Sequence, residues 1–172
     1  VLLVLGGSLG SRRINELIHE HLDYLAGSVQ VIWQCGKGYY DQYKNTATTG
    51  VQVHQFINRM DLAYSAADFV ISRAGASSIS ELCLVGKPVL FIPSPHVAED
   101  HQRKNADALV SKNAALMITE DHLESDFKTT WQQLSIDENL QNELSQNIKK
   151  LALPNATRDI VDQIEKLLHG SR

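Results

Sequence analysis

One stretch of this chain predicts its fold, Asp68-Phe69-Val70-Ile71-Ser72-Arg73-Ala74-Gly75-Ala76-Ser77-Ser78-Ile79-Ser80-Glu81. Its apolar start is typical of a buried strand, its small residues indicate a tight loop, and its end opens a helical pattern. Small residues allow a ligand to approach the backbone closely, and the N–H groups at a helix start attract phosphate. Glu81, one turn inside the helix, can present a carboxylate to sugar hydroxyls. The stretch therefore predicts a site for a nucleotide diphosphate.

The composition is typical of a globular protein. The chain has 172 residues, of which 43% are hydrophobic and 21% charged, which fits one domain with a substantial core. Its formal net charge of −4 argues against nucleic acid as a partner, because nucleic-acid-binding domains usually have a basic face. No apolar run reaches the ~18 to 20 residues of a membrane span. Cys35 and Cys83 fit neither a zinc cluster nor a disulfide framework, so a cytoplasmic protein is expected.

Strand-like and helix-like patterns alternate along the chain. The predicted strands are 1–5, 29–33, 51–56, 69–72, 89–92 and 115–118, and the predicted helices are 12–26, 39–45, 60–67, 78–85, 100–111, 121–134, 137–151 and 156–168. This alternation predicts an α/β fold, a Rossmann-like, doubly wound, six-stranded parallel sheet. Ligands of such sheets bind beyond the carboxyl ends of the strands, where the strand order reverses. We therefore expect the site in the loops after strands one, three, four and five.

The loop after the first strand, Gly6-Gly7-Ser8-Leu9-Gly10, has two interpretations. A glycine-rich turn between a strand and a helix often binds phosphate, but glycines also permit a tight turn that binds nothing. The spacing is not G-x-G-x-x-G, and the second strand ends in Trp33-Gln34-Cys35 with no acid to bind a ribose. Both departures argue against NAD.

Ser78 and Glu81 also have two interpretations. Ser-x-x-Glu is the pattern of a capping box, in which both side chains close the start of a helix. The same residues can instead bind the phosphate and the ribose of a nucleotide. The two roles are compatible, because a capping box satisfies only some of the N–H groups at the helix start.

A polar cluster, residues 96–105, is predicted where the loop after the fifth strand enters a helix. His101 and Gln102 can form hydrogen bonds with sugar hydroxyls. Glu99, Asp100 and His101 are metal-ligating residue types, but the cluster has no H-x-x-x-H pair, and neither a metal nor a cofactor is predicted. The alternative is a solvated helix start.

Apolar side chains follow the third strand, in the segment Phe56-Ile57-Asn58-Arg59-Met60. They can form a slot for a flat base, and the alternative is an ordinary helix entry with buried hydrophobic residues. Arg73 can balance phosphate charge, although an arginine is more often a solvated surface residue.

The order of these motifs is more specific than any one of them. It is Gly-Gly-Ser-x-Gly-x-Arg, Phe-Ile-x-x-Met, Ser-Arg-x-Gly-Ala-x-x-x-Ser-Glu, Gly-x-Pro-x-Leu-x-Ile-Pro and His-Gln-x-x-Asn-Ala. In this order the chain resembles the MurG family, the bacterial N-acetylglucosaminyltransferases of peptidoglycan synthesis. The resemblance covers nearly the whole chain but only half of such an enzyme. It implies one half of a GT-B fold, with residues 1–172 as the carboxyl-terminal, donor-binding domain, and Val1, already inside a strand pattern, is consistent with an excised domain.

The resemblance implies roles for the matching residues in binding UDP-N-acetylglucosamine. The backbone of Ile57 would contact the uracil, Glu81 the ribose hydroxyls and Gln102 the hydroxyls of the sugar. The helix start would bind the diphosphate, and Ser8 would face the phosphate or the acceptor. With Arg73 and His101 included, the expected substrate-binding residues are Ser8, Phe56, Ile57, Met60, Arg73, Ala76, Ser77, Ser78, Glu81, His101, Gln102 and Asn105.

Three positions depart from the family pattern. Leu9 stands where glutamine is common, Ser11 where alanine is common, and His101 where some members have a second glutamine. The departures affect contacts to the sugar rather than to the nucleotide.

The implied reaction is an inverting transfer of N-acetylglucosamine to undecaprenyl-pyrophosphoryl-muramyl-pentapeptide at the cytoplasmic face of the inner membrane. No catalytic residue is expected in this chain, because the base and the acceptor site would belong to an amino-terminal domain. Two alternatives stay open. One is a donor domain or stand-alone donor subunit of a related lipid glycosyltransferase, and the other is a non-catalytic nucleotide-binding module or an NAD-type oxidoreductase domain.

Overall fold

Six parallel strands form one sheet in a computed structural model of the chain, which describes residues 1–95 and 100–169. The strands are β1 (Leu2–Leu5), β2 (Val31–Gln34), β3 (Val51–His54), β4 (Phe69–Ser72), β5 (Val89–Phe91) and β6 (Leu116–Met117). Their order is β3-β2-β1-β4-β5-β6. The predicted doubly wound parallel sheet is therefore confirmed.

The helices alternate with these strands and then follow them. They are α1 (Arg12–Glu20), α2 (Leu22–Ala26), α3 (Tyr40–Tyr43), α4 (Met60–Ala66), α5 (Ala76–Val85), α6 (His101–Val110), α7 (Leu123–Ile136), α8 (Glu138–Lys150) and α9 (Ala156–His169). Two short 3-10 helices, Lys44–Thr46 and Glu120–His122, complete the described elements. None of the helices in the described ranges has the length and apolar character needed to cross a bilayer.

The order of the sheet reverses at β1. Leu2 is in register with Val31 of β2 on one side and with Phe69 of β4 on the other. The chain thus builds outward from β1 in one direction and then returns to build in the other. The crevice between β1 and β4, beyond their carboxyl ends, is where this fold places a ligand.

Both faces of the sheet are covered, which explains the unbroken apolar run of β1. Leu2 and Val4 belong to a core with residues of α1, α2 and α7, whereas Leu3 and Leu5 belong to a second core with residues of α4, α5 and α6. All four side chains are buried. Alternate residues of a strand point to opposite faces, so a strand between two layers of helices is apolar at every position.

The predicted helix 12–26 is wrong as a single helix, because the chain leaves helical geometry at His21. The backbone there has φ −103° and ψ 13°, and the His21 ring stacks on Phe127 with 5.0 Å between ring centroids. Leu22 and Leu25 are nevertheless buried in the same core as Ile14 and Ile18. The apolar spacing therefore continued across the break and concealed it. The other predicted boundaries lie within two residues of the observed ones.

Two loops at the carboxyl edge of the sheet touch through their glycines. Gly10, after β1, has φ +82°, and Gly36, after β2, has φ +91°. A β-carbon at Gly10 would overlap the carbonyl oxygen of Cys35, and one at Gly36 would overlap that of Leu9. Glycine is therefore required at both positions by the backbone angle and by the neighbouring loop.

We expect Gly10→Ala to lower the free energy of unfolding by about 2–4 kcal/mol, because it combines an unfavourable φ with overlap against backbone. Gly7→Ala has a similar φ of +85° but open space around it, so it should cost only about 1 kcal/mol. Gly38→Ala, with neither constraint, should change the stability by less than about 0.5 kcal/mol. Urea denaturation of the three variants checks this ranking, and equal losses at Gly7 and Gly10 would contradict it.

Candidate functional site

A cleft of about 430 Å³ lies beyond the carboxyl ends of β1, β2 and β4, at the point of strand-order reversal. It is lined by the loop after β1, the end of β2, the segment from β3 into α4, the loop and first turns of α5, and α6. The lining residues are Leu5, Gly6, Gly7, Ser8, Gln34, Phe56, Met60, Tyr64, Arg73, Gly75, Ser77, Ser78, Glu81 and Gln102. Of the four loops expected to meet, those after strands one, three and four line one cleft, whereas the segment after β5 reaches it only through Gln102 of α6.

The start of α5 faces this cleft. Gly75 is its N-cap residue, with extended backbone (φ −68°, ψ 149°) and no side chain to accept from the first-turn N–H groups. The first turn is Ala76, Ser77 and Ser78, and the first intrahelical bond is donated by Ile79 to the Gly75 carbonyl, at 2.9 Å. Backbone donors at an uncapped helix start form an anion-binding site.

The capping-box interpretation of Ser78 and Glu81 is wrong. The helix begins at Ala76 rather than at the predicted 78, so Ser78 is already inside its first turn and Glu81 lies further along it. The predicted helix began at 78 because the apolar spacing starts at Ile79, and Ala76 and Ser77 add nothing to that spacing. Both side chains are thus available for other contacts.

Glu81 is held by a tyrosine from the neighbouring helix. The Tyr64 hydroxyl donates a hydrogen bond to Glu81 Oε2, at 3.0 Å. Burial, and then the charge of Glu81, raise the pKa of Tyr64 well above its usual range. The sequence analysis missed Tyr64. Its spacing of four residues from Met60, which places both on one face of α4, was the available signal.

Gln34 joins the loops after β1 and β3. Its Nε2 donates to the Gly7 carbonyl at 3.1 Å, and its Oε1 accepts from the Ile57 N–H at 2.8 Å. The side chain is only 5% exposed. Ile57 is expected to contact a base through its backbone. Its N–H already donates to Gln34, so its carbonyl oxygen is the backbone atom that can contact a base. Gln34 was also missed, although a polar residue that ends an apolar strand was a usable signal.

Arg73 is paired inside the chain. Its Nη2 lies 2.5 Å from Glu120 Oε1, and its Nη1 donates to the Ile92 carbonyl at 2.9 Å. The side chains of Arg73 and Glu120 are 13% and 14% exposed. Arg73 lines the cleft, and its guanidinium is anchored to the residue that follows β5. Its charge is already partly balanced by Glu120 before any ligand binds.

Two amide side chains attach α6 to the loops beside the cleft. Gln102 Oε1 accepts from the Ser94 N–H at 3.0 Å, and Asn105 Nδ2 donates to the Ala74 carbonyl at 3.2 Å. Asn105 thus connects α6 to the loop before α5, and Gln102 lines the cleft. His101 is the first residue of α6 and is exposed. The expectations that involve His96 and Glu99 lie outside the described residues.

The cleft brings together eight of the expected residues, which are Ser8, Phe56, Met60, Arg73, Ser77, Ser78, Glu81 and Gln102. The other four expected residues lie around the cleft. Ile57 is buried beneath it, Ala76 begins α5, and His101 and Asn105 are on α6. Within residues 1–95 and 100–169, no group of three or more histidine, cysteine and acidic residues is placed to hold a metal ion.

The comparisons with known proteins agree with this architecture. The family model for the glycosyltransferase family 28 C-terminal domain matches residues 1–164. The crystal structure of Acinetobacter baumannii MurG superimposes with a TM-score of 0.81 at 32% sequence identity, over 96% of this chain and 49% of that one. A Staphylococcus aureus MnaA–UDP structure has a TM-score of 0.69 at 14% identity, which shows a shared fold alone.

Curated relatives are closer in sequence. A protein from Flavobacterium psychrophilum is 57% identical over 99% of this chain, and one from Christiangramia forsetii is 59% identical over 98%. Both are named UDP-N-acetylglucosamine–N-acetylmuramyl-(pentapeptide) pyrophosphoryl-undecaprenol N-acetylglucosamine transferase. The chain matches 47% and 46% of their lengths, so it spans about half of each.

We expect Gln34→Met to lower the free energy of unfolding by about 1–3 kcal/mol, since it leaves the Gly7 carbonyl and the Ile57 N–H without their partner. Gln34→Glu keeps the acceptor for Ile57 but places a buried carboxylate against the Gly7 carbonyl, so it should cost at least as much. Gln55→Met, at an exposed position nearby, is the matched control and should change the stability by less than about 0.5 kcal/mol. Urea denaturation gives the three values, and equal effects at positions 34 and 55 would contradict the bridging role.

Proposed function

This chain belongs to the glycosyltransferase family 28 C-terminal domain family, and we propose that it binds UDP-N-acetylglucosamine as the donor half of an N-acetylglucosaminyltransferase. Its relatives at 57% and 59% identity are named as transferases of this sugar. They are about twice as long as the chain, so a second half would supply the acceptor site. Residues 1–172 form the donor-binding domain in this proposal.

One observation supports the proposal most directly, namely that the uncapped start of α5 and the carboxylate of Glu81 face the same cleft. From Ala76 to Glu81 the helix rises about 7.5 Å. The start attracts an anion and the carboxylate accepts hydrogen bonds from hydroxyls. A ligand with a negative group at one end and a neutral diol a few ångströms away fits both, and a nucleoside diphosphate has this arrangement.

The remaining parts of the donor are assigned to the two ends of the cleft. The uracil would lie against Phe56 and Met60, and its N3–H would donate to the carbonyl oxygen of Ile57. The sugar would lie towards Gln102, whose Nε2 can donate to a sugar hydroxyl while its Oε1 accepts from Ser94. Ser8 would contact the phosphates or the acceptor.

The chemistry would be a single displacement with inversion. A hydroxyl oxygen of the acceptor forms a bond to the anomeric carbon, the bond from that carbon to the UDP oxygen breaks, and UDP leaves with the electron pair. The N–H groups of Ala76, Ser77 and Ser78 would stabilise the charge that grows on the diphosphate, in the manner of an oxyanion site. The hydroxyl proton would pass to a base in the other half of the enzyme.

For the whole enzyme we propose the acceptor that the relatives' names print, a pyrophosphoryl-undecaprenol-linked N-acetylmuramyl-pentapeptide. A cytoplasmic enzyme that lies on the inner face of the membrane would meet such a lipid. The chain by itself should bind the donor and transfer nothing.

We expect isothermal titration calorimetry to show binding of UDP and UDP-N-acetylglucosamine. UDP-glucose should bind more weakly than UDP-N-acetylglucosamine because it lacks the acetamido group, and NADH should give no heat. Selective binding of NADH would contradict the proposal and favour an oxidoreductase module. Preference for UDP-glucose would favour a related lipid glycosyltransferase.

We expect Glu81→Ala to weaken UDP binding about 10- to 100-fold, because a charged hydrogen-bond acceptor is worth about 1.5–3 kcal/mol and 1.4 kcal/mol is tenfold. Since α5 starts upstream of Ser78, no helix cap is lost, and the free energy of unfolding should fall only by about 0.5–1.5 kcal/mol, the net value of the hydrogen bond from Tyr64. Glu165→Ala, on exposed α9, is the matched control and should alter neither quantity. Lost stability with unchanged affinity would contradict the assigned role.

A further inference from the structure

The pair formed by Tyr64 and Glu81 connects the two helices that flank the cleft. Tyr64 lies on α4, which follows the proposed base slot, and Glu81 lies on α5, which follows the proposed phosphate loop. The hydroxyl-to-carboxylate distance is 3.0 Å, and both side chains line the cleft. The partners are 17 residues apart in sequence, so the contact depends on how the two helices pack.

The direction of this hydrogen bond is fixed by chemistry. An ionised carboxylate can only accept, so the phenol must donate. Burial and the charge of Glu81 raise the pKa of Tyr64 well above its usual range, so the hydroxyl keeps its proton. Tyr64 therefore donates to Oε2.

The contact leaves Glu81 suited to a diol. A carboxylate has about four lone-pair positions, of which Tyr64 uses one. The others can accept the two hydroxyl protons of a ribose. A glutamate on an exposed helix surface otherwise samples many rotamers, and fixing them opposes binding. A partner that already holds the carboxylate reduces this cost.

We propose that Tyr64 is a positioning residue that orients Glu81 towards the ribose hydroxyls and so helps the site select ribonucleotides over nucleotides that lack these hydroxyls. The inference rests on the proposed function, because it takes the ribose as the ligand of Glu81. Tyr64 acts through Glu81 and needs no contact with the nucleotide of its own.

A merely structural role would have a different effect. If the Tyr64 hydroxyl only tied α4 to α5, its loss would weaken every nucleotide equally, through the shape of the whole cleft. If it orients Glu81, its loss weakens only ligands that have ribose hydroxyls, and only while Glu81 is present. The two roles can therefore be distinguished by comparing nucleotides with and without ribose hydroxyls, and by comparing proteins with and without Glu81.

The test measures dissociation constants for UDP and for 2′,3′-dideoxyuridine diphosphate by calorimetry. The proteins are the wild type, Tyr64→Phe, Glu81→Ala and the double variant. The phenylalanine keeps the ring, and a thermal melt checks that each variant folds. Tyr24→Phe, on α2 and on a different part of the surface, is the matched control.

We expect Tyr64→Phe to weaken UDP about 3- to 10-fold, the effect of one net hydrogen bond, and to change the dideoxy nucleotide by less than about 2-fold. In the Glu81→Ala background the same substitution should have no further effect on UDP. Non-additivity of this kind marks two residues that act together. Tyr24→Phe should leave both affinities unchanged.

Three results with the variants would overturn the inference. They are an equal loss for both nucleotides in Tyr64→Phe, tighter UDP binding in that variant, and a full additional loss in the Glu81→Ala background. Failure of the proposed function is visible separately, because the wild type would then not bind UDP at all. If the wild type bound UDP and the dideoxy nucleotide equally, Glu81 would not bind the ribose, and this inference would fall while nucleotide binding stood.

Discussion

The reversal of strand order beside β1 is the constraint on which the cleft depends. Because β2 and β4 lie on opposite sides of β1, the loops after β1 and β4 leave the sheet towards opposite layers of helices. A crevice opens between them, and the start of α5 points into it. Gly75 provides no capping side chain there, so the N–H groups of the first turn face the cleft rather than a cap.

A layer of buried polar contacts holds the loops around this crevice. Gln34 connects the loops after β1 and β3. Beside it, Asn15 donates to the Cys35 carbonyl at 2.8 Å and accepts from Trp33 Nε1 at 3.0 Å, and Asn15 is fully buried. Buried amides whose donors and acceptors are both used make a rigid support. Loops held in this way need little rearrangement when a ligand binds. The entropy lost on binding is then smaller, which favours affinity.

The charges of the cleft are arranged in two regions. Arg73 is paired with Glu120 and anchored to the Ile92 carbonyl, so its charge is shared between the protein and a ligand. In the proposed complex the diphosphate would therefore depend mainly on backbone dipoles, which stay in place as charge develops. Glu81, bound to Tyr64, places a negative charge away from the helix start, where a neutral diol is favoured over a second phosphate.

The sequence by itself determined the elements and their order. Apolar runs such as 69–72 and the small-residue loop before α5 are local signals, and the parallel sheet followed from their alternation. The single helix 12–26 was wrong because the apolar spacing continues through the break at His21. The capping box was wrong because the sequence pattern around Ser78 is that of a cap, although the helix begins two residues earlier. Only the tertiary structure decided which side chains meet. Tyr64 reaches Glu81 across 17 residues, and Gln34 reaches Ile57 across 23. Local patterns encode the period and the ends of an element, but contacts between elements depend on how the helices pack on the sheet, and no spacing within one segment specifies that packing.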